Sequence, residues 1–374
     1  MKIIHYVKKW TVGGIENVVY NLLINDNEND KTLCIGEIVD QYKLQELKEQ
    51  GVNIYDLNDR KKKNKVDSYK TDYDRLAQIL KDNQFDIAHI HINNAFGMIY
   101  GELFKEYGCK VVMHSHNTGF GSHKIIKSMF RYPLQKKCKK YCDCFIGCST
   151  KAIKFAFGKT DNQHTYVLHN CINVEDFKYS QQKRDALRLK YNIKEEQIVL
   201  GHIGHFNAQK NQMFLVTLMR ELSMENPEKY KLIMVGDGET KEDIRTEIKK
   251  ESLESSIILL NSDEQISQYY SAFDIFVFPS LFEGFGIAAI EAQVSGLRTI
   301  ISKNVPSEVM LTDRIIKADI NAVNEWKVLI QKDANVYERI DQGEKIKKAG
   351  YDISSLYKQL NSIYKQLLMS GEVG

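Results

Sequence analysis

The segment Pro279-Ser-Leu-Phe-Glu-Gly-Phe-Gly-Ile-Ala-Ala-Ile-Glu-Ala-Gln-Val-Ser-Gly296 follows an apolar run and joins a glycine-rich turn to a largely apolar stretch. This order predicts a strand, a turn and a helix, the repeating unit of parallel α/β sheets. Glu283 and Glu291 lie eight residues apart in it, a little over two helical turns. A carboxylate in an apolar helix needs a polar partner. Glu291 is therefore a candidate binding residue, and a solvated pair of glutamates is the alternative.

Outward from this segment, short β-branched runs alternate with stretches of helical periodicity in both halves of the chain. Alternation at this spacing predicts parallel strands joined by crossover helices. The expected fold class is therefore α/β, with two doubly wound, Rossmann-like domains. The predicted strands are residues 2–7, 32–39, 52–57, 87–92, 110–116 and 143–149, followed by 197–206, 231–236, 257–260, 274–279 and 298–302.

A polar segment at residues 173–196 separates the two series of strands and predicts a domain boundary. We therefore expect one domain at residues 1–176 and a second at residues 177–351. A last amphipathic helix, predicted near the C-terminus, must dock on a domain core. Its apolar face consists of Leu356, Leu360, Ile363, Tyr364 and Leu367.

The charge balance is nearly even, with 52 Lys and Arg against 49 Asp and Glu, which gives no sign of a nucleic-acid-binding protein. The N-terminal sequence lacks the apolar core of a signal peptide, and no run is long enough for a membrane-spanning helix. We therefore expect a cytoplasmic protein, in which an odd number of seven cysteines indicates free thiols. Four of them lack the spacing of a zinc site and are predicted to be buried thiols. These four are Cys138, Cys142, Cys144 and Cys148.

Three glycine-rich turns occur where a predicted strand gives way to a helix. Backbone N–H groups at a helix N-terminus bind anions, and parallel sheets bind ligands at the carboxyl ends of their strands. Plain turn chemistry is the alternative for each turn alone, but three corresponding turns favour a ligand cleft between the domains. None matches the dinucleotide motif or the ATP-type phosphate loop. The turns are Gly13-Gly14, Gly236-Asp237-Gly238-Glu239 and Glu283-Gly284-Phe285-Gly286.

The segment with Glu283 and Glu291 closely resembles the paired-glutamate signature of family-four retaining glycosyltransferases of the GT-B fold, especially the branch that builds bacterial exopolysaccharide and capsule. The resemblance implies an interdomain cleft, with the donor bound by residues 177–351 and the acceptor by residues 1–176. It also implies that the C-terminal helix, at about residues 352–374, packs back on the N-terminal domain. Other resembling segments are Gly13-Gly14-Ile15-Glu16, His114-Ser115-His116-Asn117, residues 167–173 with Phe177, residues 204–211 and residues 235–238.

Where residues match the family's motifs, the resemblance implies a role for each on the donor side. Lys210 is expected to neutralise the donor diphosphate, Glu291 to hold ribose hydroxyls, and Glu283 to face the transferred sugar. Gly14 would let the backbone approach the phosphates closely. The remaining donor-binding residues are Gly236 and Gly238, and also Gly284, Phe285 and Gly286, whose N–H groups would bind phosphate.

On the acceptor side, the resemblance places His116 near the sugar and the acceptor. His116, Glu283 and Lys210 then form the catalytic set. His114 is an alternative to His116, because residues two apart on a strand face the same side. Asn117 completes the acceptor-side group.

One position departs from the family, since His205 stands where an arginine usually lies beside the diphosphate. A neutral imidazole offers one donor and no charge, whereas a guanidinium offers a charged fork. We hypothesise that the bound diphosphate protonates His205, so that donor affinity falls as pH rises through the histidine range. The alternative is that the chain is a non-catalytic partner subunit of an active glycosyltransferase.

No metal ion and no cofactor are expected. Asp72-Tyr73-Asp74 matches a metal-binding Asp-x-Asp literally, but it begins a predicted helix, where acidic residues are ordinary. Lys210 and helix-end amides supply the charge that a metal would otherwise provide, so turnover should survive EDTA. Because Glu283 and Glu291 match donor-binding positions, the resemblance implies retention of configuration, with the donor phosphate accepting the acceptor's proton.

Between Lys124 and Lys140 lie seven basic residues and no acidic ones, interleaved with apolar side chains. A basic amphipathic helix binds anionic lipid, so we expect peripheral contact with the inner face of the cell membrane. The resemblance thus implies a hexosyltransferase that moves a sugar from a nucleotide diphosphate, expected to be a UDP-sugar, to a lipid-linked glycan. A GT-B sugar-nucleotide epimerase and a two-lobe binding protein remain alternatives.

Overall fold

The computed structural model describes residues 1–11, 14–41, 43–58, 65–92, 95–116, 133, 135–136, 138–158, 160, 164–262, 265–332 and 338–370. The chain forms two compact units. The first consists of Met1–Cys171 together with Ile353–Gly374, and the second of Ile172–Asp352. The second unit begins at Ile172, so the boundary expected after residue 176 lies a few residues inside it.

Strands and helices alternate along both units. The strands are β1 Lys2–Val7, β2 Asp30–Ile35, β3 Asn53–Asp56, β4 Ile87–Ile92, β5 Lys110–Ser115, β6 Cys144–Gly147, β7 Thr165–Val167, β8 Ile198–Ile203, β9 Tyr230–Val235, β10 Ile257–Leu260, β11 Ile275–Phe278, β12 Arg298–Ser302 and β13 Ile315–Ala318. The α-helices are α1 Gly14–Ile24, α2 Leu44–Glu49, α3 Lys65–Asp82, α4 Tyr100–Glu106, α5 Thr150–Phe157, α6 Gln181–Lys190, α7 Gln212–Glu225, α8 Lys241–Lys250, α9 Tyr269–Ala272, α10 Ile287–Val294, α11 Val323–Lys332, α12 Gly343–Lys348 and α13 Ile353–Met369.

Each unit contains one parallel sheet. The first has the strand order β3-β2-β1-β4-β5-β6-β7, and the second has the order β10-β9-β8-β11-β12-β13. In both, the first strand of the unit lies centrally and the chain winds outward in two directions, which is the doubly wound arrangement. The predicted α/β class with two Rossmann-like domains is confirmed.

The first sheet buries both of its faces, because successive side chains of a strand point to opposite sides. On one face, Ile4 and Ile90 pack with Leu76 of α3 and Phe104 of α4. On the other face, Ile3 lies in a cluster with residues of α1 and α13. The apolar face of α13 is buried there and so contributes to the core of the first unit. Its members are Leu356, Leu360, Ile363, Tyr364 and Leu367.

The second sheet is likewise covered on both faces. Trp326 of α11 packs edge-on against Phe214 of α7, with the ring centroids 5.2 Å apart. Asp274 precedes β11 and accepts from Arg184 at 2.7 Å and from Arg188 at 3.2 Å. These ion pairs fix α6 beside the sheet.

Two strands were not predicted from the sequence, β7 and β13. Both are edge strands of their sheets. β7 has only three residues, and β13 carries Lys317 within four. Such short segments lack the apolar run that a strand buried on both faces must have.

The seven cysteines are free and buried, as predicted for the four between Cys138 and Cys148. Within the described part of the chain, no helix combines the length and the apolar character needed to cross a lipid bilayer.

Candidate active site

An ion pair links the loops that follow β8 and β11 in the second unit. Lys210 Nζ lies 2.7 Å from Glu283 Oε1. The side chain of Lys210 is 18% exposed and that of Glu283 is 6% exposed. The ammonium group also lies 4.7 Å from the centroid of the Phe278 ring. The structure therefore brings together two of the three predicted catalytic residues, as a partly buried charge pair beside an aromatic face.

Backbone contacts hold this pair in place. Asn207 accepts from the backbone N–H of Lys210 through Oδ1 at 3.0 Å, which closes a tight turn after β8. Asn211 adopts a left-handed conformation, with φ of 57°, and α7 begins at the next residue. Its Nδ2 donates to the carbonyl of Pro279 at 3.2 Å. The loops after the two central strands are thus tied to each other before any ligand binds.

The segment Glu283-Gly-Phe-Gly enters α10 through a glycine in the left-handed region. Gly286 is the N-cap residue with φ of 102°, a conformation that strains residues other than glycine. Phe285 is buried, and its ring stacks on Tyr351 with centroids 5.5 Å apart. Gly284, Phe285 and Gly286 therefore lie at the N-terminal end of α10, where the partial positive charge of a helix favours an anion.

Glu291 is not isolated within α10. Tyr270 of α9 donates its hydroxyl to Glu291 Oε2 at 2.5 Å. Tyr270 is fully buried, and burial followed by the nearby carboxylate raises the pKa of its hydroxyl well above the usual value. Tyr270 thus holds the carboxylate in a fixed direction. This residue was not predicted, because a tyrosine in a short helix gives no signal until the fold places it beside Glu291.

Gly236 and Gly238, predicted to bind the donor, have an evident packing role. A Cβ atom at Gly236 would lie 2.1 Å from the carbonyl oxygen of Gly204, and one at Gly238 would lie 2.2 Å from that of Phe206. Only glycine permits this approach of the loops after β8 and β9. Lys241 fixes the turn by donating to the carbonyl oxygens of Gly236 at 2.7 Å and Leu260 at 2.9 Å.

His205 lies in the loop after β8, with its side chain 58% exposed. Its Nε2 is 3.2 Å from Glu239 Oε2. The imidazole therefore faces solvent beside a carboxylate, in a position that a ligand can reach from the solvent side. Its backbone carbonyl accepts from Gln212 Nε2 at 3.0 Å, which anchors the loop to the start of α7.

The predicted acceptor-side histidines lie in the first unit as part of a larger group. His114 lies on β5 and His116 directly after it, and His91 on β4 is 3.1 Å from His116, between Nδ1 and Nε2. His5 on β1 and His89 on β4 join them on the same face of the sheet. His5, His89 and His91 were not predicted as site residues. Their signal was the spacing of two residues in His89-Ile-His91, which matches His114-Ser-His116.

Two family models match the chain. Glycosyltransferase Family 4 matches residues 12–176, and Glycosyl transferases group 1 matches residues 183–350. The chain therefore contains one domain of each of these two glycosyltransferase families. The donor-side candidates from His205 to Glu291 lie in the region of the second match, and His114 and His116 lie in that of the first.

The chain is similar to several curated proteins. The putative glycosyltransferase EpsF of Bacillus subtilis is 30% identical over 243 residues, which cover 63% of this chain and 62% of EpsF. The UDP-Gal:alpha-D-GlcNAc-diphosphoundecaprenol alpha-1,3-galactosyltransferase of Escherichia coli is 27% identical over 302 residues, which cover 75% of this chain and 77% of that enzyme. The chain thus spans less than two thirds of the length of EpsF.

Solved structures share the GT-B fold. Anabaena HepE in complex with UDP-glucose has a TM-score of 0.78 at 17% identity, over 98% of this chain and all of that chain. WaaG, a glycosyltransferase involved in lipopolysaccharide biosynthesis, has a TM-score of 0.73 at 15% identity, over 97% of this chain and 99% of its own.

Several residues predicted from the sequence are not placed in a site by the structure. Gly14 is the first residue of α1, whereas Gly13 and Asn117 lie outside the described residues, as does most of the basic stretch from Lys124 to Lys140. Asp72 is fully buried, where it accepts from Lys8 at 2.6 Å and from Tyr6 at 3.0 Å. Its carboxylate therefore has a structural use in the first unit.

Proposed function

We propose that the chain is a retaining, metal-independent hexosyltransferase. It transfers a sugar from a UDP-sugar to a lipid-linked glycan during the synthesis of an exopolysaccharide or capsule. Membership of the glycosyltransferase family supports the activity. The names of two similar proteins support the substrates, since HepE was solved with UDP-glucose and the E. coli relative acts on a diphosphoundecaprenol-linked sugar.

The observation that carries this proposal is the ion pair between Lys210 and Glu283 at the N-terminal end of α10. A diphosphate placed there meets one ammonium group and the positive end of a helix. Both stabilise the negative charge that develops on the leaving group when the glycosidic bond breaks. Lys210 then exchanges its carboxylate partner for phosphate. Glu283 is released to accept hydrogen bonds from the sugar hydroxyls.

The rest of the nucleotide has a binding residue of matching chemistry. Vicinal ribose hydroxyls are donors, and a carboxylate accepts from both of them. Glu291 is such a carboxylate, held by Tyr270 and further along α10 than the diphosphate position. Because Glu283 and Glu291 both serve the donor, neither is left to act as an inverting base. This favours retention, with a donor phosphate oxygen taking the acceptor's proton.

The first unit supplies the acceptor side. His116, with 6% of its surface exposed, lies at the carboxyl end of β5, the end at which parallel sheets bind ligands. The basic stretch between Lys124 and Lys140 is proposed to bring the protein to anionic lipid, where the acceptor lies. Co-sedimentation with vesicles tests this. We expect binding to phosphatidylglycerol vesicles and none to neutral phosphatidylcholine vesicles, and equal binding to both would contradict the proposed membrane contact.

The first experiment is thermal unfolding against UDP, GDP, ADP and their sugar conjugates. A ligand at 100 times its Kd adds about 2.7 kcal/mol, which raises the Tm of a domain of this size by roughly 5–10 °C. We expect a shift with UDP conjugates that is lost in Glu291→Ala and Lys210→Ala. The exposed Lys194→Ala is the matched control. No shift with any nucleotide would favour the non-catalytic subunit.

Turnover with an undecaprenyl-diphosphate-linked sugar tests the reaction itself. We expect product with the anomeric configuration of the donor by NMR, and a rate that does not fall in EDTA. An inverted product would contradict retention, and loss of activity in EDTA would contradict metal independence. Conversion of the donor sugar without any acceptor would instead identify an epimerase.

A further inference from the structure

Five histidines lie side by side within the first sheet, and we name them the histidine cluster. Their rings form an almost continuous stack, with centroids 4.1 Å apart for His89 and His91 and again for His114 and His116. No member exposes more than 6% of its surface. Polar side chains in a protein core are ordinarily paired, so five imidazoles in one place require an explanation. The members are His5, His89, His91, His114 and His116.

The hydrogen bonds within the cluster account for only part of its polar atoms. His91 uses both ring nitrogens, Nδ1 at 3.1 Å from His116 Nε2 and Nε2 at 3.2 Å from His5 Nδ1. His89 Nδ1 pairs with the hydroxyl of Tyr364 on α13 at 2.6 Å. Among the described residues, both nitrogens of His114 lack a partner, as does His89 Nε2. An unpaired polar atom in a protein core is unfavourable, and a ligand bound to it would remove that cost.

The geometry of the nitrogens fits a metal ion. His91, His114 and His116 each offer one nitrogen within 4.8 Å of the other two. Zinc–nitrogen bonds of about 2.0–2.1 Å in a tetrahedron place neighbouring ligand atoms roughly 3.3 Å apart. The 3.1 Å between His91 Nδ1 and His116 Nε2 is close to this separation. The nitrogen of His114, which lies within 4.8 Å of both, has to approach them to complete the site.

The surroundings supply what ligating histidines need. A ligating imidazole donates its second N–H to an acceptor that fixes the ring, and His91 Nε2 has such an acceptor in His5 Nδ1. Asn170 lies beside His116, and its buried Oδ1 has no other partner among the described residues. His91 and His116 can thus each ligate through one nitrogen while a neighbour holds the other.

We propose that His91, His114 and His116 bind one zinc ion within the first sheet. Imidazole ligands suit Zn²⁺ over Mg²⁺ and Ca²⁺, which prefer oxygen. The ion takes no part in neutralising the donor diphosphate, whose charge is met by residues of the second unit.

One consequence rests on the proposed function. His116 is the predicted acceptor-side residue, so an ion that occupies its nitrogen removes it from the reaction. Zinc then inhibits transfer, and a chelator restores it. If the chain proved not to be a transferase, this consequence would fail while zinc binding itself would stand.

The test is equilibrium dialysis of the full chain, first stripped with a chelator, against Zn²⁺, with the bound metal measured by mass spectrometry. We expect one zinc per chain and at least a hundredfold weaker binding in His114→Gln and His91→Gln. His202→Gln, a buried strand histidine of the other unit, is the matched control and should keep the zinc. Binding that is absent, or unchanged in both cluster variants, would overturn the proposal.

A second measurement needs no variant that might fail to fold. Co²⁺ bound by three imidazoles in a four-coordinate site gives intense visible absorption, whereas six-coordinate Co²⁺ on the surface gives almost none. We expect the intense bands at one equivalent of Co²⁺, and their loss when Zn²⁺ is added. A weak spectrum throughout the titration would rule out the site.

Discussion

The two sheets share a strand order but differ in what their central strands carry. In both, the unit's first strand lies between its second and its fourth. The first sheet places the five members of the histidine cluster on β1, on β4 and at β5. In the second sheet, β8 and β11, which correspond to β1 and β4, are apolar apart from His202. Its ring lies 6.5 Å from that of Phe276 and 6.0 Å from that of Phe278.

The difference extends to the loops at the carboxyl ends of the strands. The second unit brings the opposite charges of Lys210 and Glu283 together there, whereas the first unit places the imidazoles of His91 and His116 at the ends of β4 and β5. One backbone arrangement thus supports two kinds of chemistry. Charge in the second unit suits an anionic nucleotide, and uncharged nitrogen ligands in the first suit a hydroxyl acceptor or a metal. Fold alone does not assign function.

The largest effect should follow from removing the charge of the second unit. Lys210→Ala is expected to lower kcat by roughly 10²–10³, since loss of one preorganised group at a developing negative charge has about this effect. Initial rates at saturating donor would measure it. Lys194→Ala, which removes an exposed ion pair with Glu228 in the same unit, should leave the rate unchanged. Equal rates for the two variants would mean that the charge of Lys210 has no role in catalysis.

The next effect concerns glycine in the two units. Gly238→Ala should lower the free energy of unfolding of the second unit by about 1–3 kcal/mol, because the new Cβ meets a carbonyl oxygen. Gly51→Ala in the first unit has a left-handed φ of 77° but nothing within 4 Å, so it should cost about 1 kcal/mol. Urea unfolding is followed by tryptophan fluorescence, in a Trp10→Phe background for the second unit and in a Trp326→Phe background for the first. A smaller loss at Gly238 than at Gly51 would contradict the packing role.

A buried histidine in the second sheet makes that unit sensitive to acid. Burial lowers the pKa of His202 to about 4, so the unfolded chain binds more protons than the folded one between about pH 6.5 and pH 4. Stability therefore falls as pH falls through this window, by about 2 kcal/mol between pH 7 and pH 5. Urea unfolding of His202→Leu should lose this pH dependence. Phe276→Leu should keep it, although it lowers stability at both pH values.

Tyr270 tests whether a residue that only positions Glu291 also affects donor binding in the second unit. Tyr270→Phe removes the hydroxyl that fixes Glu291 and should weaken donor binding by roughly tenfold, within the range for hydrogen bonds to charged groups. Tyr230→Phe is its control, because that buried hydroxyl has no hydrogen-bond partner among the described residues. Calorimetric Kd values for UDP would measure both. A similar Kd in the two variants would mean that Tyr270 does not position Glu291.

The smallest effect is expected at His205, which is exposed. If the bound diphosphate protonates this imidazole, donor affinity of the wild type falls as pH rises from 6 to 8. His205→Arg carries a permanent charge and should bind UDP roughly two- to fivefold more tightly at pH 8, the range of exposed ion pairs. Affinity of the wild type that stays constant from pH 6 to pH 8 would refute the hypothesis.

Much of the fold and part of the site can be predicted from the sequence. Parallel strands buried on both faces consist of continuous apolar runs, so the pattern of β-branched residues locates eleven strands, although β7 and β13 are too short to show it. Glu283 and Glu291 are found because two acidic residues stand out in an apolar helix. Tyr270 and Lys241 cannot be found in this way. Their partners Glu291 and Leu260 are distant in sequence, and nothing in the neighbouring sequence marks either residue.

Local patterns in the sequence specify the α/β class, the two series of strands and the residue types at the turns, since periodicity and turn chemistry are local properties. Which side chains meet is specified only by the folded chain. Parallel pairing of β1, β4 and β5 aligns His5 with His89 and His91 with His114, and packing of the loops after β8 and β11 joins Lys210 to Glu283. Such pairings depend on register between distant segments, and no local pattern encodes that register.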